Sequence, residues 1–369
     1  GVGFDGWRRR RVEAHARDAM TGRSGVPSDF GACGEVVPPP VGVVLSTQAG
    51  RAGKPAELGD DMHRRVIGSL MVAVVALVSA CAPEIPTRAT TVRTVTPLPT
   101  ECPANAPTVA PQSITALGRG SALIAPADYE PGVAYPLLVS LHPFILAPDA
   151  WEAYSGLAAA ASQRGYWVLL PQGSDPGPRW AVPGGLDTGP DDIAWVDALI
   201  RTTADTVCVD GDRVFAAGFS AGAAMSVAVS CELPGRFRAI AGSGGTNLTS
   251  LCPDGAPVDA MILHGSADPI APVTGSETVF APPLGLTVDA VVASFAGRNG
   301  CVGPPAAVTL TSSVTIDRYS CGAHRLEYYR MLGAGHTWAG SPIPLDIVTG
   351  PTDHSFSATN VVLDFFGAS

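Results

Sequence analysis

The sequence predicts a single doubly wound α/β domain with a mostly parallel sheet over residues 113–369. Two observations carry this expectation. Apolar runs of strand length alternate with stretches of helical periodicity, and those runs are near-continuously apolar, as when both faces of a parallel sheet are covered. In addition, 46% of the 369 residues are hydrophobic and only 15% are charged, which is enough apolar surface for a sizeable core.

The strand runs are Leu137 to His142, Tyr166 to Pro171, Arg213 to Phe219, Phe237 to Ser243 and Val258 to His264. Helical patterns lie between them at Trp151 to Arg164, Asp191 to Asp205 and Ala221 to Glu232. Further on, Val288 to Arg298 reads as a helix, Arg325 to Met331 as a strand and Ser355 to Phe366 as a closing helix.

The chain ahead of this domain has a different character. Met62 opens His63-Arg64-Arg65, an apolar stretch from Val66 to Val78, and then Ser79-Ala80-Cys81. A basic start, a short apolar core and small residues before a cut describe a secretory signal over 62–81. Leu77 to Cys81 resembles the lipobox of bacterial lipoproteins, so Cys81 is the expected lipidation site and the membrane surface an expected partner. Residues 1–61 then read as upstream sequence translated from an early start, with no fold expected. Residues 82–112 are dense in Pro, Thr and Ala and read as a flexible tether.

The formal charge of −10 argues against a nucleic-acid partner. Six cysteines follow Cys81, an even set that fits disulfides outside the cytoplasm. Cys301 and Cys321 flank one loop-and-strand excursion and form the first expected pair. Cys208 and Cys231 form the second, since both should lie at one end of the sheet. No cysteines have the close spacing of a zinc site, so metal binding is disfavoured; no cofactor is expected.

The chemistry concentrates at Gly218-Phe219-Ser220-Ala221-Gly222, which follows a strand and opens a helix. In that setting G-x-S-x-G is the nucleophile turn of an α/β-hydrolase, which strains the serine backbone and lifts its hydroxyl clear of the sheet. A serine nucleophile needs a base, and the base needs an orienting carboxylate. In this fold class the acid follows the serine and the histidine comes last. Asp268 follows the strand ending at His264 and is the expected acid. His336, in the loop Gly333-Ala334-Gly335-His336-Thr337-Trp338, is the expected base. His354 is the alternative base; His142 and His264 end strands and are expected to orient loops. For the oxyanion, the Ala221 amide is one expected donor and the Phe144 amide the other, because Pro143 has no N–H.

These residues resemble the extracellular polyhydroxybutyrate-depolymerase-like esterases, neighbours of the feruloyl and acetyl-xylan esterases of carbohydrate esterase family one. The resemblance runs from about Gly118 to the end. It rests on Leu141-His142, Trp180 to Pro183, Asp191-Asp192-Ile193, Cys208-Val209-Asp210, Gly218 to Met225, His264 to Asp268, Arg298 to Cys301 and Gly335 to Gly340. It implies the same triad of Ser220, Asp268 and His336, and it implies substrate contacts at Trp338, Trp180 and His142. The family has glycine where this chain has Pro143. A secreted monomeric serine esterase acting on a polyester is the expectation that follows. Feruloyl or acetyl-xylan esters, a peptidase of the same fold and a ligand-binding lipoprotein are the alternatives.

Overall fold

The structure is a computed structural model that describes residues 90–173, 179–184, 189–275, 286–343 and 345–367. All of them fall in one unit, Ala82–Ser369. Residues 1–61, the signal reading of 62–81 and the lipidation site Cys81 lie outside the described residues.

Ten strands form one sheet: β1 (Ser113–Ala116), β2 (Arg119–Ile124), β3 (Tyr135–Leu141), β4 (Trp167–Pro171), β5 (Val209–Phe219), β6 (Ala239–Ser243), β7 (Asp259–Gly265), β8 (Ala306–Thr309), β9 (Val314–Cys321) and β10 (His324–Met331). Their order across the sheet is β1-β2-β4-β3-β5-β6-β7-β10-β9-β8. The run from β4 to β10 is parallel, and antiparallel strands close both edges. The helices are α1 (Pro148–Ser155), α2 (Leu157–Gln163), α3 (Asp192–Thr206), α4 (Ala221–Glu232), α5 (Val288–Arg298), α6 (Asp346–Thr349) and α7 (Ala358–Gly367).

Side chains of α3, α4 and α5 (Trp195, Met225 and Phe295 among them) fill one face of the sheet. Those of α1, α2 and α7 (Trp151, Leu157 and Phe366) fill the other. The expected α/β-hydrolase fold is therefore present, with helices on both faces of a mostly parallel sheet. From β3 the chain steps outward to β4, then returns to place β5 on the other side of β3. Such a reversal opens a crevice at the carboxyl ends of the two flanking strands. Ser220 follows β5 at that crevice.

Several elements differ from the sequence reading. The expected helix from Trp151 to Arg164 is two helices, broken where Gly156 takes φ 62° and caps α1. The closing helix begins at Ala358 rather than Ser355, because Ser355 instead bonds the Asp353 carboxylate through both N–H and hydroxyl. The β1–β2 hairpin was not expected. Its turn is Leu117-Gly118, both at positive φ, where asparagine-glycine is the usual signal.

The tether reading of 82–112 does not hold for residues 90–112. Arg93 donates to the buried Glu232 carboxylate and to Asp191, and Arg236 donates to Thr96 O. Val95 and Leu98 pack against the core. The segment is irregular because of its prolines, yet its backbone and one arginine have partners along the domain.

That course also corrects one disulfide. Cys301–Cys321 forms as expected, but Cys208 pairs with Cys102, and Cys231 pairs with Cys252. Cys208 stands at the start of β5, and the docked segment brings Cys102 to it. Cys231, on the last turn of α4, instead meets the β6–β7 connection. Buried Arg298 reinforces that corner by donating to Ser230 O and Ala256 O, and burial lowers its pKa to about 10.

In the loop-closure account, opening Cys231–Cys252 by alanine replacement should cost about 3 kcal/mol, and opening Cys102–Cys208, which closes a far longer loop, nearly 5 kcal/mol. Urea denaturation of the two double variants checks the order. Peptide mapping without reduction checks the pairing.

Candidate active site

Ser220 sits between the end of β5 and the first residue of α4 with φ 54° and ψ −119°. This backbone state is costly for a residue with a side chain and persists only where the surroundings enforce it. Here the Ser220 N–H donates to Ser243 O at 2.9 Å. Gly222 lies so close to β3 that a Cβ would run into the carbonyls of Leu141 and His142. Behind the serine, Gly245 approaches so closely that a Cβ would strike the Ser220 backbone.

The loops after β7 and β10 supply the other two groups. His336 Nε2 is 2.8 Å from Ser220 Oγ, and His336 Nδ1 is 2.8 Å from Asp268 Oδ2. A carboxylate only accepts, so Nδ1 carries the proton. Nε2 is then an unprotonated acceptor facing the serine hydroxyl. All three residues are buried, with Ser220 the most accessible at 9%.

Asp268 is held on every side. Its Oδ1 accepts the amides of Ile270 and Ala271 at 2.8 and 2.7 Å. Its Oδ2 faces His264 as well as His336. Burial pushes the Asp268 pKa up, but the hydrogen bonds from the two imidazoles outweigh it and hold the carboxyl well below the usual range.

The loop bearing His336 is anchored along its length. Gly335 and His336 donate their amides to Pro351 O and Thr349 O at 2.8 and 2.6 Å. The Trp338 amide donates to Tyr154 Oη at 3.1 Å, and its indole N–H to Thr359 Oγ1 at 2.9 Å. The Trp338 ring packs edge-on against Trp151, while Phe219 lies 4.9 Å from the His336 ring.

Three expected substrate contacts are therefore corrected. Trp338 is 1% exposed and its polar atoms are taken, so it anchors the loop from inside the core. Trp180 is buried, stacks on His142 and donates to the His142 carbonyl at 2.8 Å. His142 is fully buried, donating from Nδ1 to Pro143 O and accepting the Gly173 amide at Nε2. Burial lowers its pKa, although the bond to Pro143 and the charge of Asp192 act in the opposite direction. Together these two rings hold the chain after β3 around Pro143.

Phe144 lies in that loop with its side chain exposed, followed by Ile145 at φ 65°. Ala221 is the first residue of α4, where amides have no acceptor within the helix. His354 is exposed and outside the constellation. Sequence reasoning missed Gly245 and Tyr154 and gave His264 only a loop-orienting role. Ser243-Gly244-Gly245 carried no motif, although paired glycines after a strand are a usable sign of close approach.

Gly245→Ala should lower the yield of folded protein and cut turnover at least tenfold, because the new methyl must displace the Ser220 backbone. A second expectation concerns acid stability. A carboxyl with its folded pKa below the unfolded value of about 3.9 adds stability above that value and loses it as pH falls toward the folded pKa. The urea midpoint of wild type should therefore drop below about pH 4, and that drop should be shallower in Asp268→Asn.

Comparison with known proteins places the chain among esterases. The family Esterase PHB depolymerase matches residues 125–319, a segment holding Ser220 and Asp268, with His336 beyond it. Feruloyl esterase C of Emericella nidulans is 30% identical over 237 residues, covering 61% of this chain and 78% of that one. A putative esterase, NocK, of Nocardia uniformis is 31% identical over 256 residues, covering 62% and 73%. Among solved structures, the acetyl xylan esterase from Aspergillus awamori shares the fold, with TM-score 0.51 at 17% identity over 70% of this chain and 99% of that one. The chain belongs to the PHB depolymerase esterase family and is a carboxylic-ester hydrolase.

Proposed function

We propose that the protein is a serine esterase working through an acyl-enzyme, with a hydroxyalkanoate polyester or its oligomers as substrate. The observation that carries the mechanism is the imidazole of His336, spanning Ser220 Oγ and Asp268 Oδ2 at 2.8 Å each. Nε2 takes the hydroxyl proton as Ser220 Oγ attacks the ester carbonyl, and the protonated ring is stabilised by the Asp268 carboxylate. The tetrahedral oxyanion lies against the Ala221 amide at the amino end of α4, with the Phe144 amide as second donor. His336 then returns the proton to the departing alcohol. Water repeats the sequence and releases the acid.

The family match favours the polyester. Exposed Phe144, Ile145 and Leu332, on loops at the carboxyl ends of β3 and β10, suit a substrate with an apolar chain. The feruloyl reading is kept as a second one because a feruloyl esterase is among the relatives at 30% identity. Three disulfides fit an oxidising compartment, which supports export. The order of basic, apolar and small residues in 62–81 supports lipidation at Cys81.

On p-nitrophenyl butyrate, Ser220→Ala and His336→Ala should each abolish nearly all turnover. Asp268→Asn should lose roughly 10⁴-fold, since the imidazole takes the wrong tautomer. His354→Ala should stay within twofold of wild type. Retention of activity in Ser220→Ala contradicts the mechanism. A panel of hydroxybutyrate oligomers, a feruloyl sugar ester and acetylated xylan separates the substrates, with the highest kcat/KM expected on the oligomers. For anchoring, Cys81→Ala should move the protein from the detergent phase to the aqueous phase.

A further inference from the structure

His264, the penultimate residue of β7, is enclosed in the core at 1% exposure. Its Nε2 lies 2.7 Å from Ala271 O and 3.3 Å from Asp268 Oδ2. Both atoms are acceptors, so Nε2 carries the proton and shares it between them. Nδ1 is buried with no hydrogen-bond partner among the described residues. A proton on Nδ1 instead would leave a buried orphan donor there and a lone pair at Nε2 facing two acceptors. The neutral Nε2–H form is the one this environment accommodates.

We propose that His264 is a positioning residue, a second imidazole that fixes the Asp268 carboxylate so that Oδ2 is presented to His336. This rests on the reading of Ser220, Asp268 and His336 as the triad. One N–H serves two purposes. It restrains Oδ2 directly, and through Ala271 O it anchors the turn whose Ile270 and Ala271 amides hold Oδ1. The carboxylate is thereby gripped from β7 and from its own turn before His336 reaches it. Without His264, Oδ2 has a single imidazole donor and the turn loses its tie to the strand. The carboxylate plane is then free to rotate away from Nδ1. An imidazole that only filled space would be replaceable by an apolar side chain of similar size without effect on turnover.

The test compares full-length wild type, His264→Leu, His264→Gln and Ser220→Ala on p-nitrophenyl butyrate. Glutamine reaches about as far as Nε2 and still donates; leucine cannot. His264→Leu is expected to lower kcat at least tenfold with KM within twofold, and His264→Gln to recover most of the loss. Wild-type kcat in His264→Leu, or glutamine no better than leucine, overturns the proposal. If His264→Leu does not fold, ¹⁵N-histidine NMR of wild type at pH 8 decides: the Nε2–H tautomer at His264 supports the proposal, and the Nδ1–H tautomer overturns it. An inactive Ser220→Ala beside a fully active His264→Leu overturns the role of His264 alone. An active Ser220→Ala overturns the triad reading and this inference with it.

Discussion

The backbone of Ser220 is the constraint on which the site depends. A non-glycine residue at φ 54° costs on the order of 1–3 kcal/mol and is kept there only by what surrounds it. Gly222 lets α4 press against the end of β3, Gly245 lets the next loop close in from behind, and Ser243 O takes the strained amide. The strain lifts Oγ off the sheet to where His336 can reach it. A relaxed serine would begin the helix without presenting its hydroxyl.

The molecule separates this strained edge from a stapled one. Ser220, Asp268 and His336 all come from loops at the carboxyl ends of parallel strands. The three disulfides lie toward the opposite edge, at the start of β5, at the end of α4 and beside the start of β10. Residues 90–112 reinforce that edge through Arg93 and Cys102. At the reactive edge, cohesion comes instead from aromatic packing and from Asp268, whose four partners join the β7 and β10 loops. Buried carboxylates are stable as anions only when so surrounded. In the proposed mechanism Asp268 accordingly orients and stabilises the imidazole and does not take its proton.

Much of this was legible in the sequence because the informative signals are local. Ser220 announces itself by strand, glycines and helix within a dozen residues, and chain order then ranks Asp268 and His336. What was hidden depends on distant partners. Trp338 beside the base reads as a substrate contact until Tyr154 and Thr359, far apart in sequence, are seen to hold it. The proline-rich segment reads as free chain because the acids that hold Arg93 come from α4 and the start of α3. Cys208 was assigned the wrong partner for the same reason. Gly156 was passed over because the apolar pattern continues on both sides of it. In the β1–β2 hairpin, a leucine occupies a position that favours asparagine.

Covalent trapping tests the central claim most directly. A p-nitrophenyl alkylphosphonate replaces the ester with a tetrahedral phosphorus that the activated serine displaces irreversibly. Intact mass and peptide mapping should show one adduct per chain, carried on Ser220, with loss of esterase activity in proportion to labelling. Esterase activity that survives full modification of Ser220, or a stoichiometric adduct elsewhere while Ser220 stays free, would contradict the account.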